Sequence, residues 1–320
     1  MISHLLSIIL ALFIDRIAGD PNHWPHPVRW IGRLISFLEV RWNRGKYRKW
    51  KGTLLSFTVL LTVFFLSLFI TVASYSIHTV VGIIIESILI YTSISQRSLK
   101  EAALEVYEPL IANNMKLARK KLSYIVGRDT DNLEESEIVR GAVETVAENT
   151  SDGITAPLFW AFLGGAPLAM VYRAVNTCDS MVAYKNDRFL EFGWASAWID
   201  DGFNWIPSRL TGIMMVVCSP PKFRTRKESF AILFRDAKKH PSPNSGWGEA
   251  AVAAVLGVQL GGLNYYGGEV SLRAVMGDSE TSLRSHHITD SIRIMNRTVH
   301  VFTLLLIGGG ILYELAKAWF

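Results

Sequence analysis

Long apolar runs alternate with short, dense polar clusters along this chain, and the runs set its architecture. Thr53–Ser74 is a run of 22 residues with no charge, no Gly and no Pro. At about 1.5 Å per residue, such a helix crosses a hydrocarbon core of ~30 Å. His78–Ser95 is a second apolar run with one charge, Glu86. Only Tyr75-Ser76-Ile77 separates the two, so they predict a helical hairpin. The N-terminal run Met1–Ile14 ends at Asp15-Arg16. Ile154–Val175 is apolar but interrupted by Pro157, Gly164, Gly165 and Pro167, the pattern of a broken or re-entrant helix. Phe203–Ser219 (with Pro207 and Arg209), Ala250–Leu263 and Val299–Tyr313 complete the set. The predicted fold class is an all-α polytopic integral membrane protein. It has about four to six membrane helices, some broken or re-entrant, and cytoplasmic helical loops.

Residues 96–152 read differently, as soluble helices. Ala102–Lys121 has helical spacing and strong helix formers. Asp129–Asn132 is a break, after which Asp131 and Glu134 have the spacing of a capping box opening a helix to about Asn149. The expected organisation is a single membrane-embedded domain over 1–320, with 96–152 a mainly cytoplasmic insertion. No internal repeat is visible, which counts against transporters built from duplicated halves.

Composition agrees with the pattern. Half of the 320 residues are hydrophobic and only 19% are charged. The mean hydropathy is +0.24, too apolar for an ordinary soluble enzyme. The net charge of +5 matters less than where the cations lie. Six Lys and Arg fall in Arg41–Gly52, and seven, against two acids, in Lys222–Lys239. Basic segments beside apolar runs stay cytoplasmic, so the chain is expected in the cell membrane with its polar loops on the cytoplasmic side. Nucleic acid is not an expected partner, because the cations flank membrane segments. Cys178 and Cys218 read as small core residues. The N-terminus lacks a basic n-region and a small-residue cleavage site, so a removable signal peptide is not expected.

The polar clusters carry the candidate chemistry. Asp15, Asp20, His26 and Arg29 follow the first apolar run, where carboxylates suit Mg²⁺ and guanidinium suits phosphate. Helix capping and interfacial anchoring by Trp24, Trp30 and Arg16 would produce the same residues. Glu137, Arg140, Glu144 and Glu148 share one helical face, and Asn149, Ser151 and Asp152 gather at its C-terminal end. Acids there oppose the helix dipole, and a bound cation would supply a reason for them. Arg173, Asn176, Asp179 and Ser180 again have helical spacing. Asp200, Asp201, Asn204 and Arg209 suit a Mg²⁺–nucleotide, or simple capping. His240-Pro-Ser-Pro-Asn244-Ser-Gly-Trp-Gly-Glu249 is a turn-rich loop opening a small-residue helix, whose N–H groups attract phosphate. Common phosphate-loop, dinucleotide, zinc-protease and hydrolase-elbow motifs are missing from the sequence.

Three stretches together resemble one family. They are DRIAGDPNHWPHPVRWIGRLI (15–35), the block from RGAVETVAENTSDGITAPLFW to WIDDGFNWIPSRL (140–210), and HPSPNSGWGEAAVAAVLGVQLGG (240–262). The chain resembles the adenosylcobinamide-phosphate synthase family of cobalamin biosynthesis, the CobD/CbiB membrane proteins. Lys185 and Asp187 stand where that family often has Arg and Glu, and both keep the charge.

The resemblance implies amide ligation of adenosylcobyric acid with (R)-1-amino-2-propanol O-phosphate, or a related amino alcohol phosphate. ATP and Mg²⁺ drive it. The lipid bilayer is an implied partner, and other corrinoid-pathway enzymes or a second copy of the chain are left open.

Residue chemistry then suggests the roles. Glu144, Glu148, Asp152, Asp200 and Asp201 are candidates for Mg²⁺. His26 is the candidate base, with Glu144, Glu148, Asp152 and Asp201 the other candidate catalytic groups. Arg29, Arg173 and Arg209 are candidates for phosphate or substrate carboxylate. Asp15, Asp20, Asn149, Asn176, Asp179, Asn244 and Glu249 are candidates for orienting substrate. A corrinoid transporter, using Glu86, Arg173 and Arg209 as pathway residues, and a non-catalytic scaffold are the competing readings.

Overall fold

The computed structural model describes residues 2–20 and 26–319; Trp24, an expected interfacial anchor, lies outside them. The chain is 74% helical. In order, the helices are α1 (Ile2–Ala18), α2 (Pro27–Trp42), α3 (Arg48–Ile77), α4 (Thr79–Tyr91), α5 (Gln96–Ile111), α6 (Met115–Leu122), α7 (Glu135–Thr150), α8 (Ala156–Val182), α9 (Trp194–Cys218), α10 (Arg226–Asp236), α11 (Ser245–Leu256) and α12 (His286–Trp319). One antiparallel hairpin, β1 (Leu260–Tyr266) and β2 (Glu269–Met276), lies between α11 and α12. Among the described residues, four helical stretches are long and apolar enough to span a membrane: Arg48–Ile77, Thr79–Ile111, Glu135–Val182 and His286–Lys317. The protein is therefore an all-α polytopic membrane protein with one small hairpin.

The chain divides into two compact units. The first comprises Met1–Ser95, Ala156–Asn204 and Thr303–Phe320. Here α3 packs on α4 and α8, α2 packs on α3 and α8, and α1 packs on α4. Ile31, Ile35, Leu55, Val59, Met170 and Ala174 form its core. The other face of α3 leaves Phe57, Leu61, Phe65, Phe69 and Val72 exposed, as a lipid-facing surface would. The hairpin turn between α3 and α4 falls at His78 rather than at Tyr75–Ile77. Extended backbone at His78 ends α3, and its side chain accepts from Val80 N to open α4.

The expected break near Gly164 is present, and it has a partner. Helical geometry fails at Gly164 and at Gly165, where φ is +65°. The freed N–H of Ala166 donates to Glu86 Oε1 at 3.2 Å. Glu86 is fully buried and also accepts from Ser7 Oγ at 3.1 Å and Tyr75 OH at 2.6 Å, with His4 Nδ1 at 2.7 Å. A carboxyl group on α4 thus caps the second half of α8. Its hydrogen-bonding capacity is committed to structure, which weakens its assignment as a transport pathway residue.

The second unit comprises Gln96–Thr155 and Trp205–Phe302. In it α5, α6 and α11 pack around α7, and α10 packs on α11. Ala102–Lys121 does not form one helix. The chain breaks after Ile111, and Asn114 caps α6 by accepting from Leu117 N at 3.1 Å. The capping box of α7 lies one turn later than expected: Glu134 is the cap, paired with Glu137. Ala250–Leu263 is not one apolar segment either. Gly257, at φ +72°, terminates α11, and the chain turns into β1. The Gly267-Gly268 turn that closes the hairpin is held by Asp129, which accepts from both N–H groups at 3.1 and 2.7 Å.

Candidate functional site

The expected site residues fall into two clusters, one in each unit. In the first unit, His26 sits at the start of α2, where its Nδ1 accepts from Val28 N at 3.3 Å. That bond leaves Nε2 facing Asp20, 3.8 Å away. Burial pushes the imidazole below its ordinary value; Asp20 opposes this, and Arg173 and Arg29 reinforce it. Asp20, Arg29 and Arg173 therefore all act electrostatically on the His26 ring. Arg173 comes from α8, where Asn176 and Asp179 follow at helical spacing. The neighbouring Tyr172 hydroxyl donates to Asn204 Oδ1 at 2.7 Å, and Asn204 donates to Asp200 Oδ2 at 3.1 Å. Burial raises the Asp201 carboxyl, with Lys185 opposing. Asp15 is buried in the last turn of α1.

In the second unit, α7 and α11 come into very close contact. A Cβ on Gly248 would stand 2.4 Å from Ala147 O, so only glycine permits the approach. This brings Glu144 and Glu148, one turn apart on α7, to the start of α11. Glu144 is heavily engaged. It accepts from Arg128 Nη1 at 2.9 Å and from Gly261 N at 2.8 Å, and Arg140 Nε lies 3.8 Å away. Arg140 also donates to Gly261 O and Leu263 O, both at 2.6 Å, and Arg128 reaches Asn264 Oδ1. The hairpin thus fixes two guanidinium groups over Glu144. Glu148 is half-buried and accepts from Ser245 Oγ at 2.7 Å.

Glu249 has the most unusual environment. Its residue is fully buried, and neither carboxyl oxygen has a hydrogen-bond partner. His240 Nε2 lies 3.5 Å from Oε1. Burial, then Glu144 and Glu148, raise the Glu249 carboxyl well above its ordinary value, against the pull of Arg273 and Arg128. His240 is pushed down by burial and by Arg273, while Glu148 and Glu144 pull it up.

This has a consequence for stability. A carboxyl raised in the folded state contributes fully below its unfolded value of about 4.3 and loses that contribution as pH rises through the raised value. Glu249→Gln has no such loss. The variant is expected to gain on the wild type in thermal stability between about pH 5 and pH 8. Melting in detergent at both pH values checks this; a constant difference would contradict it.

The remaining expected residues are structural neighbours of this cluster. Asn149 donates to Thr145 O at 2.9 Å within α7. Asn244 accepts from Ser208 Oγ at 3.2 Å and from Arg209 Nη1 at 3.4 Å. Arg209 also lies over the Trp205 and Trp247 rings, 4.2 and 5.1 Å from their centroids. Asp152 lies in the single turn of π-helix, Ser151–Thr155, that follows α7. Arg128, Asn264 and Arg273 stand in no sequence motif, and His240 enters only as the first residue of the turn-rich loop. Their roles depend on the hairpin and on the α7–α11 contact, which no local motif announces.

Among the described residues, no group of three His, Cys, Asp or Glu side chains is placed to hold a metal ion. Of the carboxylates considered for Mg²⁺, Glu144 is occupied by guanidinium and amide donors, and Glu148 by a hydroxyl. Glu144 and Glu148 are thus already engaged by donors of this chain.

Comparison with known proteins bears on this arrangement. The family model described as CobD/Cbib protein matches residues 8–295. "Cobalamin biosynthesis protein CobD" of Halalkalibacterium halodurans is 54% identical over 314 residues, covering 98% of each chain. The protein of that name from Clostridium perfringens is 46% identical, covering 87% of this chain and 89% of its own. "Cobalamin biosynthesis protein CbiB" of Salmonella paratyphi B is 43% identical, covering 91% and 92%. No solved structure matches. With a family model across most of its length and relatives this similar end to end, the chain belongs to the CobD/CbiB family.

Proposed function

We propose that this protein acts in cobalamin biosynthesis as an ATP-dependent amide ligase of the cytoplasmic membrane. It joins a carboxylate of adenosylcobyric acid to (R)-1-amino-2-propanol O-phosphate or a close analogue. The names of its relatives support the pathway. The observation that carries the ligation reading is the corner built by α7, α11 and the hairpin. There, Arg128 and Arg273 act on Glu249, a buried carboxyl with no donor. Amide synthesis needs cations for phosphate and carboxylate groups, and an acceptor for an ammonium proton.

A carboxylate is a poor electrophile, so ATP would activate it as an acyl phosphate. The amine then displaces phosphate, forming the C–N bond as the C–O bond breaks. Mg²⁺ would enter on the nucleotide phosphates. In the first unit, Arg29, Arg173 and His26 form a second group suited to an anion. The basic segments Arg41–Gly52 and Lys222–Lys239 support the cytoplasmic side.

The test is mass spectrometry of detergent-purified protein with ATP, Mg²⁺, adenosylcobyric acid and aminopropanol phosphate, omitting each in turn. The expected product is heavier by aminopropanol phosphate less water, with one ADP per ligation. Folded protein that makes no product with this or other amino alcohol phosphates would overturn the ligase reading.

A further inference from the structure

We infer that Glu249 receives the ammonium group of the amine substrate, with Glu148 at the partly exposed rim and His240 orienting the carboxyl; this rests on the ligase reading for its chemistry. Three carboxylates meet where α7 and α11 touch, and the chain treats each differently. Glu144 has its charge met by Arg128 and Arg140 and its Oε1 met by Gly261 N. Glu148 has one hydroxyl donor, Ser245 Oγ. Glu249 has none, though its side chain is only 1% exposed. A buried carboxyl without donors is costly, and a protein retains such a group where a ligand supplies the missing N–H. A primary ammonium is compact and carries three N–H donors, matching the unfilled acceptors of Glu249 and Glu148.

His240 fits the same assignment. Its Nδ1 accepts from Ser242 N at 3.0 Å and lies 3.4 Å from Ser242 O, which fixes the ring in place. Its Nε2 lies 3.5 Å from Glu249 Oε1, outside hydrogen-bond geometry. His240 is a positioning residue that stands beside Oε1 without a hydrogen bond to it, so both carboxyl oxygens are open to the ligand. The groups acting on Glu249 are His240 from the preceding loop, Glu144 and Glu148 from α7, Arg128 from the loop before α7, and Arg273 from β2.

In ligation, the Glu249 carboxylate takes one proton from the ammonium and frees the nitrogen lone pair. That lone pair attacks the acyl phosphate carbon. The C–O bond to phosphate breaks, and phosphate leaves with its electron pair. The second nitrogen proton goes to the departing phosphate, and the proton on Glu249 returns to solvent.

Two measurements test this. In the first, wild-type protein in detergent is melted with (R)-1-amino-2-propanol O-phosphate or with propyl phosphate, which lacks the amine. The aminated probe is expected to raise the midpoint more, and Glu249→Gln to abolish that difference. Equal protection by both probes, or full amine-dependent protection in Glu249→Gln, would overturn the inference. In the second, kcat/KM for the amine should fall about 100-fold or more in Glu249→Gln, with KM for ATP within about twofold. The rise of kcat/KM with pH should flatten in the same variant. Glu148→Gln, at the half-exposed rim, should raise KM for the amine in a protein of near wild-type stability. An unchanged KM in Glu148→Gln would overturn the assignment of the rim. Amine-specific protection without ligation product would support the ammonium site while overturning the ligase reading.

Discussion

Arg128→Met is expected to destabilise the second unit by about 3–5 kcal/mol, the usual cost of leaving one partner of a buried ion pair alone. Arg128 is almost fully buried, and so is Glu144, to which it donates at 2.9 Å. The same guanidinium reaches Asn264 on β1, so the change also loosens the hairpin from α7. The double variant Arg128→Met/Glu144→Gln removes both charges and is expected to recover much of the loss. Thermal denaturation of the four proteins of this cycle, in one detergent and at one pH, gives the coupling. A double variant as unstable as the sum of the singles would show that Arg128 acts mainly as packing. In the proposed ligase, turnover should fall in the single variant even below its melting temperature, because Arg128 also bears on Glu249.

Parts of this architecture are legible in the sequence because they depend on local pattern. Thr53–Ser74 has no charge, Gly or Pro, and it lies within the long helix α3. Gly164-Gly165 followed by Pro167 announces a broken helix, because no residue between them can hold an unbroken hydrogen-bond ladder. The hairpin is a different matter. Gly261, Gly262 and Ala274 dilute the alternation of its strands, and only the Gly-Gly turn flanked by Tyr266 and Val270 marks it. Arg128 could not be singled out, because its partner Asn264 lies 136 residues away. Glu249 was a candidate for binding, but its lack of donors follows from the approach of α7 and α11 at Gly248. A cap can also slip by one turn without any change in pattern. Asp131 and Glu134 satisfy the capping spacing as well as Glu134 and Glu137 do, and the extended backbone at Glu134 decides between them.

Glu86→Leu is expected to destabilise the first unit by an amount on the order of 3 kcal/mol, and the sign is the informative part. A carboxyl tolerated in a membrane segment only as an unwanted charge would be improved by leucine, since replacing buried ionic groups with apolar ones is often stabilising. Glu86 instead accepts from Ser7, Tyr75 and Ala166 N, with His4 beside it. Leucine would leave these groups unpaired in surroundings without water to replace the bond. The second half of α8 would also lose its cap, and with it the placement of Tyr172 and Arg173. Gly165→Ala attacks the same contact from the other side. Its Cβ would stand 2.3 Å from Glu86 Oε1, on a backbone at φ +65° that alanine adopts with strain. If the two groups form one device, the variants are non-additive: Gly165→Ala should cost less in the Glu86→Leu background than in the wild type, because the oxygen it strikes is gone. Melting the four proteins of this cycle measures that coupling. A stabilised Glu86→Leu, or strictly additive losses, would mean that the carboxyl does not hold the break in α8.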